Sequence, residues 1–268
     1  ELGLVGSEMC IRDSYNPKLR KSRGVYYTPH AVVRFIIAAI DDVLKDKRLF
    51  GIRNGMANYQ KVNILDFATG TGTFLLEILE QLNDKHPFNK PEGNKIIRKH
   101  IHNLYGFEFL IAPYVISHLK LTQYLKENGC DIPNRLQIYL TNTLEDKEPA
   151  KSFFIPKLSE EGKLAQEVKR DKKILVITGN PPYSGHSANA SFNITKQTKI
   201  SKKGKTREVK KKIDTWIGSL IRDYYNINGV SIKEANSKWL QDDYVKFIRF
   251  AQYKICLLYT SPSPRDLA

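Results

Sequence analysis

The spacing of apolar and polar residues divides the chain into short buried strands and longer amphipathic helices. Four apolar runs, rich in β-branched and aromatic residues, are too short for buried helices and predict strands. These runs are residues 62–67, 104–107, 136–140 and 174–177. Apolar residues spaced three and four apart predict helices, at residues 30–45, 74–82, 111–127, 213–225 and 236–255. The alternation of strands and helices predicts an α/β fold.

The fourth predicted strand ends at a rigid polar turn. Gly179 precedes the sequence Asn180-Pro181-Pro182-Tyr183, in which each proline fixes its own φ and Pro182 also restricts Pro181. The Asn180 side-chain oxygen and the Pro181 carbonyl oxygen can accept hydrogen bonds from the two hydrogens of an exocyclic amino group. Tyr183 can stack on the base that carries this group. An ordinary Asn-Pro turn is the alternative for these four residues alone.

The glycine-rich turn after the first predicted strand is typical of a cofactor site. Asp66 lies near the end of that strand, and the sequence Ala68-Thr69-Gly70-Thr71-Gly72-Thr73 leads into a helix. Glycine allows backbone N–H groups to approach a ligand closely, and a helix N-terminus attracts its anionic groups. A dinucleotide-binding turn would need a third glycine at the position of Leu75, so the sequence excludes that class.

Polar residues also follow the second and third predicted strands. Glu108 follows the second, where a carboxylate can accept hydrogen bonds from both hydroxyl groups of a ribose. Asn142 follows the third, and its amide can bond to an amino group and a ring nitrogen. An exposed loop glutamate and a plain Asx turn are the respective alternatives.

The balance of charges favours a polyanionic partner. The 268 residues have a formal net charge of +15, which favours nucleic acid over an acidic protein substrate. The lysine bias of an AT-rich genome is the alternative explanation.

We expect residues 184–212 to form a flexible basic loop that closes over nucleic acid, because residues 196–212 hold nine basic residues and one acidic residue. The residues whose neutralisation should flatten the salt dependence of DNA binding are Lys202, Lys203, Lys205 and Arg207.

Both ends of the chain correspond to translated sequencing-adapter DNA. Residues 4–14 translate one strand of a transposon adapter, and residues 256–266 translate its reverse complement in another frame. We therefore expect residues 1–14 and 256–268 not to be native, and residues 15–255 to be part of a longer catalytic domain.

Cysteine and histidine positions predict no metal site and no disulfide. Cys130 is the one cysteine outside the adapter-like ends, which fits a reducing cytoplasm. His86, His100 and His102 lack metal-ligand spacing. No apolar run approaches the length of a membrane span.

Taken together, the motifs resemble the adenine-specific DNA methyltransferase domain of Type ISP restriction-modification enzymes and their Eco57I-like relatives. The resemblance covers nearly all of residues 20–255. The segments that carry it are R-K-S-R-G-V-Y-Y-T-P, D-F-A-T-G-T-G-T-F, T-N-T-L-E, N-P-P-Y-S-G and W-L-Q-D-D-Y-V-K-F-I-R-F-A-Q.

The resemblance implies a partial Rossmann-like fold that binds S-adenosylmethionine. The reaction that it implies is methyl transfer to the exocyclic amino group of an adenine flipped out of double-stranded DNA, catalysed by Asn180, Pro181, Pro182 and Tyr183, with no metal. Thr28 and Pro29 also suit the N-cap and first position of the first helix. The residues to which the resemblance assigns cofactor binding are Tyr27, Thr28, Pro29, Asp66, Ala68, Thr69, Gly70, Gly72, Thr73, Glu108 and Asn142.

The resemblance also implies a domain order and a cellular setting. An N-terminal helix segment at residues 15–60 precedes a cofactor and catalytic core at 61–183, the basic loop at 184–212 and a helical segment at 213–255. Further strands, a target-recognition domain and possible nuclease or helicase domains would belong to a longer prokaryotic, cytoplasmic chain that acts at the nucleoid. An RNA or protein amino-methyltransferase, or an inactive DNA-binding fragment, is the alternative.

Overall fold

The computed structural model describes residues 28–130, 135–146, 156–183, 187, 189–200, 206–227, 230–232 and 237–259. Within this part the chain forms two compact units. The first unit comprises Thr28–Asn180 together with residues 249–259, and the second comprises Pro181–Ile248.

The first unit is built on a parallel sheet. In the described part of the chain this sheet has four short strands. The strands are β1 (Ile64–Asp66), β2 (Leu104–Glu108), β3 (Gln137–Leu140) and β4 (Val176–Thr178). Their order in the sheet is β3-β2-β1-β4, and all neighbours run parallel. Parallel strands need long crossovers and are covered on both faces, which explains their apolar composition.

Helices supply these crossovers and cover the sheet. They are α1 (His30–Lys45), α2 (Thr73–Lys85), α3 (Pro91–His100), α4 (Ile111–Glu127) and α5 (Pro156–Arg170). One hydrophobic core joins the sheet to helices α1 to α4, and side chains such as Val33, Ile64 and Ile78 are fully buried in it. Phe250 adds to the same unit, because its ring lies 6.5 Å from that of Phe107.

The second unit contains a long antiparallel hairpin and short helices. The hairpin pairs β5 (Phe192–Ile200) with β6 (Thr206–Asp214), and helix α6 (Trp216–Ile221) follows it. Thr215 caps α6, since its side chain accepts a hydrogen bond from the Gly218 N–H. A small ribbon of β7 (Asn226–Ile227) and β8 (Val230–Ser231) precedes helix α7 (Asp243–Tyr259), which begins in this unit and ends in the first.

The predicted elements agree with the structure in type for most of the first unit. Helices α1 and α4 have the predicted bounds, and each predicted strand is present with ends that differ from the prediction by no more than two residues. The predicted capping of α1 is wrong: Pro29 occupies the N-cap position, and α1 has no side-chain capping hydrogen bond.

The flexible loop predicted for residues 184–212 is wrong for most of its length. Phe192–Ile200 and Thr206–Asp214 form the β5–β6 hairpin, so Ile213 also lies in a strand rather than in the helix predicted to begin there. Lys202, Lys203 and Lys205 lie outside the described residues. Helix α7 also continues to Tyr259, beyond its predicted end at residue 255.

Candidate active site

Four of the predicted site residues lie at the carboxyl edge of the parallel sheet. Asp66 is the last residue of β1 and pairs in register with Thr178 of β4. Glu108 ends β2, and Asn142 and Asn180 lie two residues past the ends of β3 and β4. The strand order reverses at β1, which has β2 on one side and β4 on the other. Open α/β sheets bind ligands at the carboxyl ends of the strands beside such a reversal.

The turn between β1 and α2 places backbone groups at this edge. Gly70 has φ +56° and Gly72 has φ +81°, values that favour glycine. A Cβ atom added to Gly70 would have no neighbour within 4 Å, so the turn is open on that side. The Thr69 N–H donates to the Phe107 carbonyl oxygen at 2.9 Å, which fixes the turn against β2. Thr73 is the first residue of α2.

Asp66 is a fully buried carboxylate. Its Oδ1 accepts a hydrogen bond of 3.1 Å from the Ala68 N–H, whereas its Oδ2 has no hydrogen-bond partner among the described residues. Burial, together with the nearby charge of Glu108, raises the pKa of Asp66 to about 8, although the Ala68 hydrogen bond opposes this shift. Asp66 therefore offers a buried oxygen atom that a cationic group could satisfy.

The close approach of β4 to β1 explains why glycine precedes the turn Asn180-Pro181-Pro182-Tyr183. Gly179 has φ +136°, and an added Cβ atom would lie 2.7 Å from Asp66 Oδ1 and 2.8 Å from a ring carbon of Phe67. The Phe67 N–H also donates to the Thr178 carbonyl oxygen at 3.2 Å. Asn180 therefore leaves the sheet beside the Asp66 end of β1.

Glu108 links the glycine-rich turn to the end of β2. Its Oε2 accepts a hydrogen bond of 2.8 Å from the Gly70 N–H, and its Oε1 accepts one of 2.6 Å from the Leu110 N–H. The carboxylate is thus held at the position predicted for a ribose-binding group, where both oxygens already accept backbone hydrogen bonds.

A buried lysine that the sequence analysis missed positions the Asn142 loop. Lys169 of α5 donates hydrogen bonds to Thr141 Oγ1 at 2.9 Å, to the Asn142 carbonyl oxygen at 2.7 Å and to the Glu145 carbonyl oxygen at 2.9 Å. Burial lowers the pKa of Lys169 to about 8. The Asn142 side chain accepts a hydrogen bond from the Leu144 N–H at 3.1 Å, which is an Asx turn.

The donor set at this edge fits S-adenosylmethionine. The unpaired Asp66 Oδ2 suits an ammonium group, and the Thr71 hydroxyl is a second buried polar group without a hydrogen-bond partner in the described part of the chain. The open side of Gly70 leaves space at the same glycine-rich turn. Of the other residues predicted for this cofactor, Thr28 is half-buried, Pro29 is exposed, and Tyr27 lies outside the described residues.

The boundary between the two units falls within the turn Asn180-Pro181-Pro182-Tyr183. Asn180 is the last residue of the first unit, and Pro181, Pro182 and Tyr183 begin the second. The Tyr183 side chain is 45% exposed, and its ring makes an edge-to-face contact with Tyr244, with ring centroids 6.2 Å apart. Tyr244 is itself 41% exposed.

Side chains at the beginning of α7 hold Ser187 and Asn189. Asp243 accepts hydrogen bonds from Ser187 Oγ at 2.6 Å and from Asn189 Nδ2 at 2.9 Å. The buried Lys246 donates to Ser187 Oγ at 2.6 Å and to the Asn189 carbonyl oxygen at 2.5 Å. Asp243, which belongs to the D-D-Y sequence of the resemblance, therefore fixes Ser187 and Asn189 together with Lys246.

The fold combines a parallel sheet and covering helices with three features: an acidic residue at the end of β1, a glycine-rich turn, and an Asn-Pro-Pro-Tyr turn after β4. This combination defines the methyltransferase class. The chain belongs to the N-6 DNA methylase family, whose model matches residues 8–229. This finding confirms the recognised family, and membership implies dependence on S-adenosylmethionine.

Individual relatives agree with this assignment. The chain is 28% identical over 162 residues to the Type I restriction enzyme EcoEI methylase subunit of Escherichia coli, a match that covers 60% of this chain and 24% of that protein. Its fold is similar to that of the ATP-dependent Type ISP restriction-modification enzyme LlaBIII bound to DNA, with a TM-score of 0.67 and 23% identity over 93% of this chain and 15% of the other.

Two further solved structures are similar. A nuclease-deletion mutant of the Type ISP enzyme LlaGI, in complex with a DNA substrate mimic, gives a TM-score of 0.62 with 26% identity over 86% of this chain and 17% of the other. A DrdV–DNA complex gives a TM-score of 0.62 with 26% identity over 91% and 21%. The chain therefore spans less than a quarter of the length of each of these proteins. No helix in the described part of the chain is long and apolar enough to cross a membrane.

Proposed function

We propose that the chain is the catalytic part of a DNA adenine methyltransferase, which transfers a methyl group from S-adenosylmethionine to the exocyclic amino group of adenine. The observation that carries the proposal is the position of Asn180, which leaves β4 beside the buried Asp66 at the strand-order reversal. Membership of the N-6 DNA methylase family supports the same reaction.

The residues of the chain divide this work between cofactor binding and substrate binding. The bound cofactor supplies an electrophilic methyl group on its sulfonium. Asp66 and the glycine-rich turn would hold its methionine part, Glu108 would hold its ribose and Asn142 would hold its adenine. Two hydrogen bonds from backbone N–H groups keep the Glu108 carboxylate in place. The hydrogen bonds of Lys169 keep the Asn142 loop in place.

The turn Asn180-Pro181-Pro182-Tyr183 prepares the amino group of the substrate to act as the nucleophile. The Asn180 side-chain oxygen and the Pro181 carbonyl oxygen would accept hydrogen bonds from its two N–H groups and favour a pyramidal, nucleophilic nitrogen. The methyl group would pass to this nitrogen as its bond to the sulfonium sulfur breaks, and the bonding electron pair would remain on the sulfur. Flipping an adenine out of the duplex costs a few kcal/mol. Stacking on Tyr183 offsets about 1–3 kcal/mol of this cost. The methylated amino cation is acidic and loses its proton to water, so a strong base is unnecessary.

The surrounding protein is proposed to be a restriction-modification enzyme. Three of the named relatives are a Type I methylase subunit and two Type ISP enzymes, and the structures of the two Type ISP enzymes contain DNA or a DNA mimic. Because this chain spans 15–24% of the relatives named above, target recognition and any nuclease or helicase activity are assigned to other parts of the complete protein.

The test compares the complete reading frame with its Asn180→Ala variant in a host that lacks DNA methylation, with modified bases mapped by single-molecule sequencing. We expect methyladenine at one recurring site, lost in Asn180→Ala and retained in Asn89→Ala, a matched exposed asparagine far from β4 in sequence. Unmodified DNA from a soluble protein that binds S-adenosylmethionine would favour an RNA or protein substrate. Methylation by Asn180→Ala would contradict the role of this residue.

A further inference from the structure

One imidazole and two carboxylates converge where the start of α1 meets α2. His30 is the first residue of α1, and Glu77 and Glu80 lie three residues apart on α2, so their side chains share a face. His30 Nε2 lies 3.3 Å from Glu77 Oε2 and 3.5 Å from Glu80 Oε2. One ligand atom from each residue lies within 4.8 Å of the other two. The three residues are called the His30 cluster.

Glu77 is a buried carboxylate with one oxygen directed into the His30 cluster. Its side chain is only 2% exposed. Its Oε1 accepts a hydrogen bond of 2.8 Å from Gln81 Nε2, which also donates to the Arg34 carbonyl oxygen at 3.1 Å. Its Oε2 has no hydrogen-bond donor among the described residues. Gln81 therefore fixes the orientation of Glu77, as partners of metal ligands commonly do.

The placement of a second carboxylate beside this oxygen favours the binding of a cation. A buried carboxylate oxygen without a partner is unfavourable, and the Glu80 carboxylate nearby adds charge repulsion. A cation bound to both groups would remove both costs. Glu80 is 32% exposed and His30 is 52% exposed, so an ion can enter from solvent and retain water ligands.

We propose that His30, Glu77 and Glu80 bind a divalent transition-metal ion, and that Zn²⁺ is the best match. Histidine nitrogen with carboxylate oxygen is a Zn²⁺ ligand set, whereas Mg²⁺ and Ca²⁺ prefer oxygen alone. Ligand atoms about 2.0–2.1 Å from a tetrahedral ion lie roughly 3.3 Å from one another. The two distances from His30 already match this spacing, and water completes the coordination.

The bound ion would join two segments of the cofactor side of the fold. His30 directly follows Thr28 and Pro29, and Glu77 and Glu80 lie on the helix that follows the glycine-rich turn. The ion would therefore cross-link the start of α1 to α2 and fix the Thr28-Pro29 segment. This role is structural and is independent of methyl transfer.

The test measures Zn²⁺ affinity by competition with a chromophoric chelator. Every protein carries Cys10→Ser and Cys256→Ser, because thiolates bind zinc by themselves. We expect one Zn²⁺ per chain, with an affinity reduced about tenfold or more by His30→Ala and by Glu80→Gln. The matched controls His102→Ala and Glu92→Gln alter exposed residues outside the cluster and should leave the affinity unchanged.

A second measurement separates zinc binding from loss of folding. Zn²⁺ should raise the Tm of the parent protein but not that of His30→Ala, since a ligand that binds only the folded state stabilises it. His30 is half-exposed, so the variant should fold without metal. Equal zinc affinity in the parent and in His30→Ala, or no stoichiometric binding by a folded parent, would overturn the proposal.

Discussion

Asp66 is an acid that its surroundings keep protonated near neutral pH, because burial and the charge of Glu108 raise its pKa to about 8. A cationic group of S-adenosylmethionine bound at Oδ2 would favour the ionised form and lower this pKa. Binding near pH 7 should therefore release a proton. The affinity should rise from pH 6 to pH 8 by up to about tenfold per pH unit.

Isothermal titration calorimetry in buffers of different ionisation enthalpy measures the released proton directly. Asp66→Asn has no proton to release at this position, so its binding should depend less on pH than that of the parent. The stability of the free chain should change in the opposite direction: a raised carboxyl pKa means that the folded state binds more protons than the unfolded state, so this contribution is lost as pH rises towards 8. An equal pH dependence of affinity in both proteins would contradict the prediction.

Individual site residues were predictable where the signal was local. Asp66 and Glu108 follow apolar runs directly, so the ends of β1 and β2 could be placed from sequence. Lys169 could not be identified, because it contacts loop atoms 24 to 28 residues earlier in the chain. A lysine on a charged helix is normally solvated, and only the tertiary fold shows that this one is buried.

The His30 cluster was missed for the same reason. His30 and Glu77 are 47 positions apart in the sequence, and neither belongs to a short metal-binding motif. The spacing of Glu77 and Glu80 was available as a local signal. This spacing indicates a metal site only when the fold is known, because α1 then places the His30 imidazole beside both carboxylates.

Among the elements, the β5–β6 hairpin is the one for which the prediction from composition differs most from the structure. Lysine-rich segments usually favour solvated loops, and the strands show little apolar alternation. The backbone register nevertheless pairs nine residues of each strand and sets Lys196 opposite Lys210 and Lys199 opposite Arg207. The lysine side chains that the structure describes on β6 are those of Lys210, Lys211 and Lys212, and all three are exposed. Exposed lysines on a paired strand can neutralise the phosphate groups of DNA.

The hairpin therefore leads to a prediction about DNA binding. A two-stranded ribbon is narrow enough to enter the major groove. Lys210 and Lys211 are exposed on β6, so replacing both with Gln should lower the affinity for DNA. The slope of log K against log salt concentration should decrease in magnitude by about 1.8 if each lysine neutralises one phosphate.

Fluorescence anisotropy of a labelled duplex across a salt series measures this slope. The matched control replaces Lys47 and Lys90, which are exposed in the first unit, with Gln. Both variants lose the same net charge, so a purely global charge effect would change their slopes equally. Equal slopes in the two double variants would show that the hairpin is not the contact surface.

At the scale of the whole molecule, the predicted cofactor-binding residues that the structure describes all lie in the first unit. The parallel sheet and the edge that carries Asp66, Glu108 and Asn142 belong to the first unit. The helix–strand pattern predicted this part well, because each crossover is formed by consecutive segments. The family match extends over residues 8–229, whereas the chain spans only 24% of the EcoEI methylase subunit.

We therefore expect this chain by itself to bind S-adenosylmethionine with the same affinity as the protein encoded by the complete reading frame, but to bind DNA without sequence preference. Its net charge of +15 supplies a non-specific electrostatic attraction, and sequence discrimination requires contacts to base edges. Two duplexes of equal length, with and without the methylated site mapped in the complete protein, provide the comparison. Anisotropy should give equal affinities for the isolated chain and a preference for the complete protein. A preference by the isolated chain would place target recognition within these 268 residues.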